Sequence, residues 1–400
     1  MAHDSRIIFA IRLAQALHRF GTPTHRLEET MGNVMGRIGL TGRFFSMPTG
    51  IFASFGAPEE RNTSLIRVTT ADVDLEKLCE LDKLGDQVID GEIDVAEGTR
   101  RIEEIIDSPA RWRTGHMLAA FAFSSATAAR FFNGGWREVL VAAIIGLAIG
   151  TVVSEIGRRE STRQISPIVA AALASALSTI AAHLLISISI YTTTLAGLVM
   201  LVPGLTLTTA ITELATGNLV SGTSRLMGGA LTFLEIGFGV ALGSAVARLL
   251  PDIGYIVSVP LPDWTLWTAL LLAPLGFIVV LRASPRDLLW ITLASLLGFS
   301  GARVGAIVLG PELGALLGAL SLGVAANLFA RHVRRPAAVV LTPGLILLVP
   351  GSIGFGSLSR FIANDVMSGV EAAFSVALVA TAIATGLLVA NAIVPPRRNL

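Results

Sequence analysis

The sequence predicts an all-α polytopic membrane protein of about ten transmembrane helices, arranged as two five-helix inverted repeats and preceded by a small α+β cytoplasmic domain. Three observations carry this expectation. The 400-residue chain is 52% hydrophobic and only 15% charged, with a mean hydropathy of +0.70, against about 25% charged residues in soluble domains. Of its 29 Asp and Glu, 18 precede residue 114, which sets a polar front end, residues 1–113, apart from an apolar remainder with the boundary near Arg111–Gly115. The remainder reads as two related stretches, residues 114–252 and 263–400, each with a Pro-Gly pair inside an apolar run.

The front end opens with two amphipathic helices. Residues 7–17 carry Ile7, Ile11, Ala14 and Leu17 on one face, and Arg12 interrupts the apolar run, so this segment reads as a folded helix and not as a cleavable signal peptide. A second helix, with Thr22 as its cap and Pro23 in its first turn, presents Leu27, Met31, Val34 and Ile38 before Gly39. Two β-type runs follow, residues 44–56 and 64–70, separated by the polar APEERNT; they predict a hairpin with Pro48 at an edge or bulge. Helices over residues 75–88 and 95–106, the latter stopped by Ser108-Pro109, complete the domain.

Little in this domain points to chemistry. The single cysteine, Cys79, excludes an intrachain disulfide and reads as a small core residue beside Leu75 and Leu78. Glu28, Arg67, His18 and His25 are available, but no Ser/His/Asp, Cys/His, HExxH or phosphate-loop spacing accompanies them. No enzymatic activity, metal or cofactor is therefore expected. Nor does any basic, aromatic-interleaved patch point to nucleic acid. The expected role is gating, regulation or assembly of the membrane part; a membrane-anchored enzyme or signalling module with catalysis in residues 1–113 is the alternative of a different class.

From Gly115 onward the apolar periods predict spans at 115–132, 137–155, 166–187, 190–207, 221–250, 264–282, 286–303, 311–330, 336–350 and 368–394. Several are shorter than the roughly 20 residues that a straight crossing requires. With the N-terminus inside, the cytoplasmic loops and tail hold Arg158, Arg159, Arg163, Arg282, Arg286, Arg331, Arg334, Arg335, Arg397 and Arg398. The opposite side holds Arg130, Arg137, Arg248, Arg303 and Arg360. That bias predicts a multi-pass protein of the cytoplasmic membrane with both termini inside.

The halves also match in sequence. SPIVAAALASALSTIAAHL (166–184) aligns with GPELGALLGALSLGVAANL (310–328), setting Pro167 against Pro311 and His183 against Asn327. WREVL (136–140) aligns with PRDLL (285–289), LVPGL (201–205) with LTPGL (341–345), and NLVSG (218–222) with DVMSG (365–369). Five spans per repeat is an odd number, so the second half enters the bilayer inverted, as in secondary transporters whose interrupted helices meet near the midplane.

Such interruptions suggest a passage, because unwound backbone at membrane depth needs protein or a wetted cavity to satisfy it. A half-helix starting after Gly204 or Gly344 would direct free N–H groups toward a substrate carboxylate. The candidate substrate residues are Pro203, Gly204, Thr206, Thr209, Glu213 and Asn218 at the first break, with Thr208 and Thr212 beside them. Pro343, Gly344, Pro350, Gly351 and Ser352 are the candidates at the second. The threonine hydroxyls have two readings, substrate contacts or bonds back to helix carbonyls.

Glu235, inside LTFLEIGFG, is a candidate for proton coupling, because an ionised carboxylate at that depth costs about 2.5–3.5 kcal/mol; pairing with Arg225 or Arg303 is its other reading. Glu213 and His183 are the further coupling candidates. For His183 the interhelical hydrogen-bonding reading is the favoured one over a proton relay, since its counterpart Asn327 cannot titrate.

These stretches resemble the threonine/serine exporter family over nearly the whole chain. The resemblance is carried by FGTPTHRLEE (20–29), MPTGIFASFG (47–56), LIRVTTADVDLEKL (65–78), LVPGLTLTTAITELATGNLVSGTSRL (201–226) and LTPGLILLVPGSIG (341–354). It implies proton-driven export of threonine and serine, small amino acids, across the cytoplasmic membrane; export of a small dicarboxylate such as succinate, associated with some relatives whose halves lie on separate chains, is the alternative. The family's motif usually carries acidic residues where this chain has Glu213 and Asn218, and an often acidic position after the arginine is Gly228 here. Its N-terminal motif maps onto Glu28, Pro48, Thr49, Arg67 and Asp74.

Overall fold

The computed structural model describes residues 4–57, 59, 62–68, 73–157, 160–185, 188–245, 249, 259–348, 354–356 and 365–396. The N-terminal domain comprises α1 (Ser5–Arg19), α2 (Thr24–Arg37), β1 (Gly42–Met47), β2 (Gly50–Phe55), β3 (Asn62–Arg67), α3 (Leu75–Ile89) and α4 (Val95–Asp107). Asp4, Asp74 and Asp94 start α1, α3 and α4 by accepting the backbone N–H of Arg6, Lys77 and Glu97, donors that a helix cannot satisfy internally.

The β-type runs form a three-stranded antiparallel meander in the order β1-β2-β3. Pro48 and Thr49 are the loop between the paired Met47 and Gly50. The run 44–56 is thus two strands and Pro48 a turn residue, not an edge or bulge. In the turn its missing N–H interrupts no ladder. A second correction concerns α2, which begins at Thr24 with Pro23 as N-cap and no side-chain bond from that cap; its first free N–H is satisfied from elsewhere in the chain.

The apolar remainder folds into α5 (Thr114–Phe131), α6 (Trp136–Ile156), α7 (Glu160–Arg163), α8 (Ser166–Leu185), α9 (Ile190–Leu198), α10 (Gly204–Ala215) and α11 (Leu219–Ser244). Then come α12 (Trp264–Val280), a 3-10 turn (Pro285–Asp287), α13 (Leu288–Leu309), α14 (Pro311–Val333), α15 (Ala338–Leu348) and α16 (Val366–Ile393). Among the described residues six helices are long and apolar enough to cross a membrane, at 136–156, 166–184, 219–244, 285–309, 311–333 and 366–393. The other expected spans are shorter helices: α5 has 18 residues, α12 has 17 and α15 has 11, while residues 190–215 form two pieces of 9 and 12.

The first helices of the two stretches run antiparallel. Near the end of α5, Arg130 donates to the Thr265 hydroxyl and the Pro262 carbonyl at the start of α12. Just before α5, Trp112 Nε1–H donates to the Ala283 carbonyl just after α12, at 3.0 Å. The matched carboxylates Glu138 and Asp287 also do comparable things. Glu138, buried at the start of α6, accepts the N–H of Ser189, the N-cap of α9, at 3.0 Å. Asp287, buried at the start of α13, accepts a two-pronged bond from Arg335, three residues ahead of α15.

Small residues let the helices approach closely. A Cβ on Gly344 would lie 2.5 Å from Leu322 Cδ1 of α14. The domain and bundle share one apolar core, in which Phe9, Leu13, Leu75 and Leu81 join Phe277, Ile278, Leu281 and Ile291. Two backbone bonds reinforce it, since the first N–H groups of α3, from Leu75 and Glu76, donate to the carbonyls of Leu281 and Arg282 at 3.0 and 3.2 Å.

Candidate functional site

The interruption ahead of α10 places a short helix between the two stretches. After α9 closes at Leu198 the chain turns, and α10 restarts at Gly204 with Pro203 as its N-cap. Leu205, Thr208, Thr209 and Thr212 follow at i, i+3, i+4 and i+7, a spacing that puts them on one face. They line a cavity of about 200 Å³. Opposite them stand Asn327 of α14, Leu341, Thr342 and Leu345 of α15, and Leu387 and Asn391 of α16, while Gly21–Pro23, His25 and Arg26 and Leu75, Leu78 and Asp82 of the N-terminal domain close the remaining side. Asn327 Nδ2 donates to Asn391 Oδ1 and the Val394 carbonyl, each at 2.8 Å, which ties α14 to the end of α16.

The neighbouring face of α10 has a different task. Glu213 is fully buried, and one carboxylate oxygen accepts the backbone N–H of Thr24 at 3.0 Å while the other accepts the Ser221 hydroxyl at 2.8 Å. Arg225 Nε stands 3.1 and 3.0 Å from the two oxygens, and the Thr24 and Ser221 hydroxyls are 2.7 Å apart. Glu213 is therefore the side-chain cap that Pro23 does not supply to α2. Its negative charge also complements the positive end of that helix.

In the domain beside this network, His18 Nε2–H donates to the Met47 carbonyl at 2.8 Å, and Glu28 accepts the Ser46 N–H at 2.7 Å. Burial raises the Glu28 carboxyl and lowers both His18 and His25, the last to about 4. Thr49 accepts the Val68 N–H through its carbonyl. Glu28, Thr49 and Asp74 thus hold the backbone of this domain. Cys79 lies in its interface with Asp287 and Arg335, where burial pushes the thiol up to about 12.

The sequence-predicted residues divide by helical phase. Thr209 reaches the cavity, whereas Thr206 faces α11, within 3.8 Å of where a Cβ on Gly229 would sit. Gly204 is buried at the start of α10, beside the cavity-lining Leu205. Asn218 is the N-cap of α11 and donates to the Thr216 hydroxyl; it does not line the cavity. Pro343 and Gly344 lie within α15, not at its start. This corrects the expectation of a half-helix beginning there: Gly344 serves close packing against Leu322, and Leu341, Thr342 and Leu345 are what α15 presents to the cavity. Pro350, Gly351 and Ser352 lie outside the described residues.

Of the coupling candidates, His183 Nδ1 bonds the Thr179 carbonyl of its own helix at 2.8 Å. Glu235 is half-buried on an α11 stripe whose other members Leu231, Phe238 and Leu242 are exposed, so it borders the outer surface and not the cavity. The helical phase of residues 204–215 already separates the two faces of α10, once its first residue is known. Nothing in local spacing pairs Glu213 with Thr24 or brings His25 to the cavity.

A family model described as a threonine/serine exporter, ThrE, matches residues 8–247, and a second, "Threonine/Serine exporter, ThrE", matches residues 267–393. Curated relatives include the pheromone-regulated membrane protein 10 of Yarrowia lipolytica, 27% identical over 89% of this chain and 31% of that protein. That of Eremothecium gossypii is 25% identical over 95% of this chain and 53% of that protein. An uncharacterised Schizosaccharomyces pombe protein is 24% identical over 92% of this chain and 49% of its own length. The chain thus spans about a third to a half of the length of these relatives. No solved structure matches it. With one exporter model covering the domain and the helices through α11 and the other covering α12 to α16, the chain belongs to the threonine/serine exporter family.

Proposed function

We propose that this chain is a secondary-active exporter of threonine and serine across the cytoplasmic membrane, coupled to the proton gradient, with both termini cytoplasmic. The observation that carries the proposal is the cavity between α10 of the first stretch and α14–α16 of the second, with a threonine face on one wall and paired asparagines on the other. At about 200 Å³ it is smaller than the roughly 300–1,000 Å³ typical of drug-sized ligands and suits a small solute.

The inverted-repeat reading, with boundaries at 1–113, 114–252 and 263–400, draws support from three observations. The leading helices α5 and α12 run antiparallel, the matched carboxylates Glu138 and Asp287 each tie a helix start to the segment entering the next short helix, and matched Pro167 and Pro311 both stand in the first turn of a helix. Counting α9 and α10 as one interrupted crossing gives five per half.

Glu213 is the group best placed for proton coupling, because it alone of the three candidates joins a cavity helix to the domain that closes the cavity. Protonation would remove the charge that holds Arg225 and the start of α2. A dicarboxylate substrate fits less well. Arg26 is the cationic side chain at the described cavity wall, it is already paired with Glu29 at 3.0 Å, and Asp82 shares that wall; Arg225 is engaged by Glu213 and Arg303 is exposed on α13.

Proteoliposomes with an imposed pH gradient test the reading. Labelled threonine should accumulate against its gradient, unlabelled serine should compete and succinate should not. Flux indifferent to the pH gradient would remove the coupling, and competition by succinate alone would replace the substrate class.

A further inference from the structure

Two residues that line the cavity each hold a buried polar atom without a hydrogen-bond partner among the described residues, and they come from different parts of the molecule. Thr208 of α10 is 1% exposed, and its hydroxyl has no hydrogen-bond partner among the described residues. His25, in the first turn of α2, lines the same cavity with a buried Nδ1 that is likewise without a partner among the described residues. A buried polar atom left unpaired is costly, and a ligand that completed both would remove that cost.

We propose that the N-terminal domain is a wall of the substrate site, in which His25 and Thr208 together recognise the side-chain hydroxyl of a small hydroxy amino acid. This rests on the exporter reading above. A hydroxyl offers one donor and two acceptor positions. It donates to the neutral imidazole nitrogen of His25 and accepts from the Thr208 hydroxyl, so each unused group finds its complement. Burial keeps the imidazole neutral at physiological pH, leaving a lone pair available for acceptance. Leu205, Leu341 and Leu345, which line the same cavity, offer apolar surface to the methyl group of threonine.

The consequence is a specificity that shape alone does not supply. Valine is nearly isosteric with threonine, and a purely apolar pocket separates such pairs weakly. A site whose buried polar groups require a hydroxyl rejects the analogue lacking it far more strongly, by up to about 10⁴-fold or more in the best cases. Because one of the two groups belongs to the domain, selectivity depends on the domain being seated.

The experiment uses the full-length protein in proteoliposomes, measuring counterflow of labelled L-threonine and its competition by unlabelled L-threonine or L-valine. Wild-type protein should favour threonine over valine by at least about tenfold. Thr208→Val, which preserves shape, and His25→Ala should each bring that ratio close to one, with partial recovery in His25→Gln, while His332→Ala on the exposed end of α14 leaves it unchanged. A ratio that stays at the wild-type value in both Thr208→Val and His25→Ala overturns the proposal.

A wild-type protein with no threonine counterflow would refute the exporter reading separately. The hydroxyl site is then read from thermal stabilisation of the purified full-length protein by L-threonine against L-valine. Stabilisation by threonine alone, lost in Thr208→Val, supports the site, whereas equal shifts with both amino acids, or none with either, overturn it.

Discussion

The backbone N–H of Thr24 and the carboxylate of Glu213 meet at 3.0 Å across 189 residues of sequence, so the first turn of α2 in the N-terminal domain is capped by the last turn of α10 in the bundle. The bond joins two events that the sequence presents separately, the start of an amphipathic helix and the polar tail of an interrupted span. Any displacement of α10 that carries Glu213 away must also leave α2 without its cap. The domain is therefore tied to the helix that supplies the threonine face of the cavity.

Removal of the Glu213 carboxylate should release the domain. Glu213→Ala leaves Arg225, whose side chain is 21% exposed, without its counter-ion, and breaking one partner of a buried pair costs about 3–5 kcal/mol. Hydrogen exchange over residues 20–30 should accelerate in Glu213→Ala, while Glu213→Gln, which keeps an acceptor oxygen, should stay closer to wild type yet lose dependence of flux on the pH gradient. Unaltered exchange in Glu213→Ala would show that the cap does not hold the domain.

Glu235 gives the contrasting case. Its place on the outward stripe of α11, away from the cavity, predicts that Glu235→Gln retains gradient-driven threonine flux. Flux measured in reconstituted vesicles decides between the two carboxylates: loss of coupling in Glu235→Gln with coupling kept in Glu213→Gln would reverse the assignment.

Close packing at the second Pro-Gly pair makes a paired prediction. Gly344→Ala places a methyl group 2.5 Å from Leu322 Cδ1, an overpacking that costs about 1–3 kcal/mol. The thermal unfolding midpoint in detergent should fall for Gly344→Ala, and the double variant with Leu322→Ala should lose less than the sum of the two single losses. Strict additivity would indicate that Gly344 does not work through that contact.

Acid should weaken the native state through the buried histidines. Burial lowers His25 to about 4, opposed by Glu213 and reinforced by Arg26 and Arg225, and burial also lowers His18. An unfolded histidine titrates near 6.5, so between about pH 6.5 and 4 the unfolded chain binds protons that the native chain does not, and stability falls as the pH falls. This contribution is fully present above pH 6.5. Thermal unfolding measured from pH 7.5 to 5 should show the loss, and His25→Asn should flatten part of it; an identical pH slope would exclude His25 as a source.

Local pattern alone determined the membrane character, the amphipathic helices of the domain, the breaks at Pro203-Gly204 and the matched segments, because hydropathy and helical period are properties of neighbours in the chain. Pro48 was visible as a breaker, but its reading as a turn required the register that pairs Met47 with Gly50. Tertiary structure decided the rest. Pro343-Gly344 has the same residues as Pro203-Gly204 yet lies inside a helix, since Leu322 and neighbouring α14 favour close approach over unwinding. Glu213 caps a helix 189 positions away, and His25 enters a cavity whose other walls come from α10, α14, α15 and α16. Helical phase records which residues share a face, but the partner of that face is set by how distant segments pack, and that choice leaves no mark on spacing.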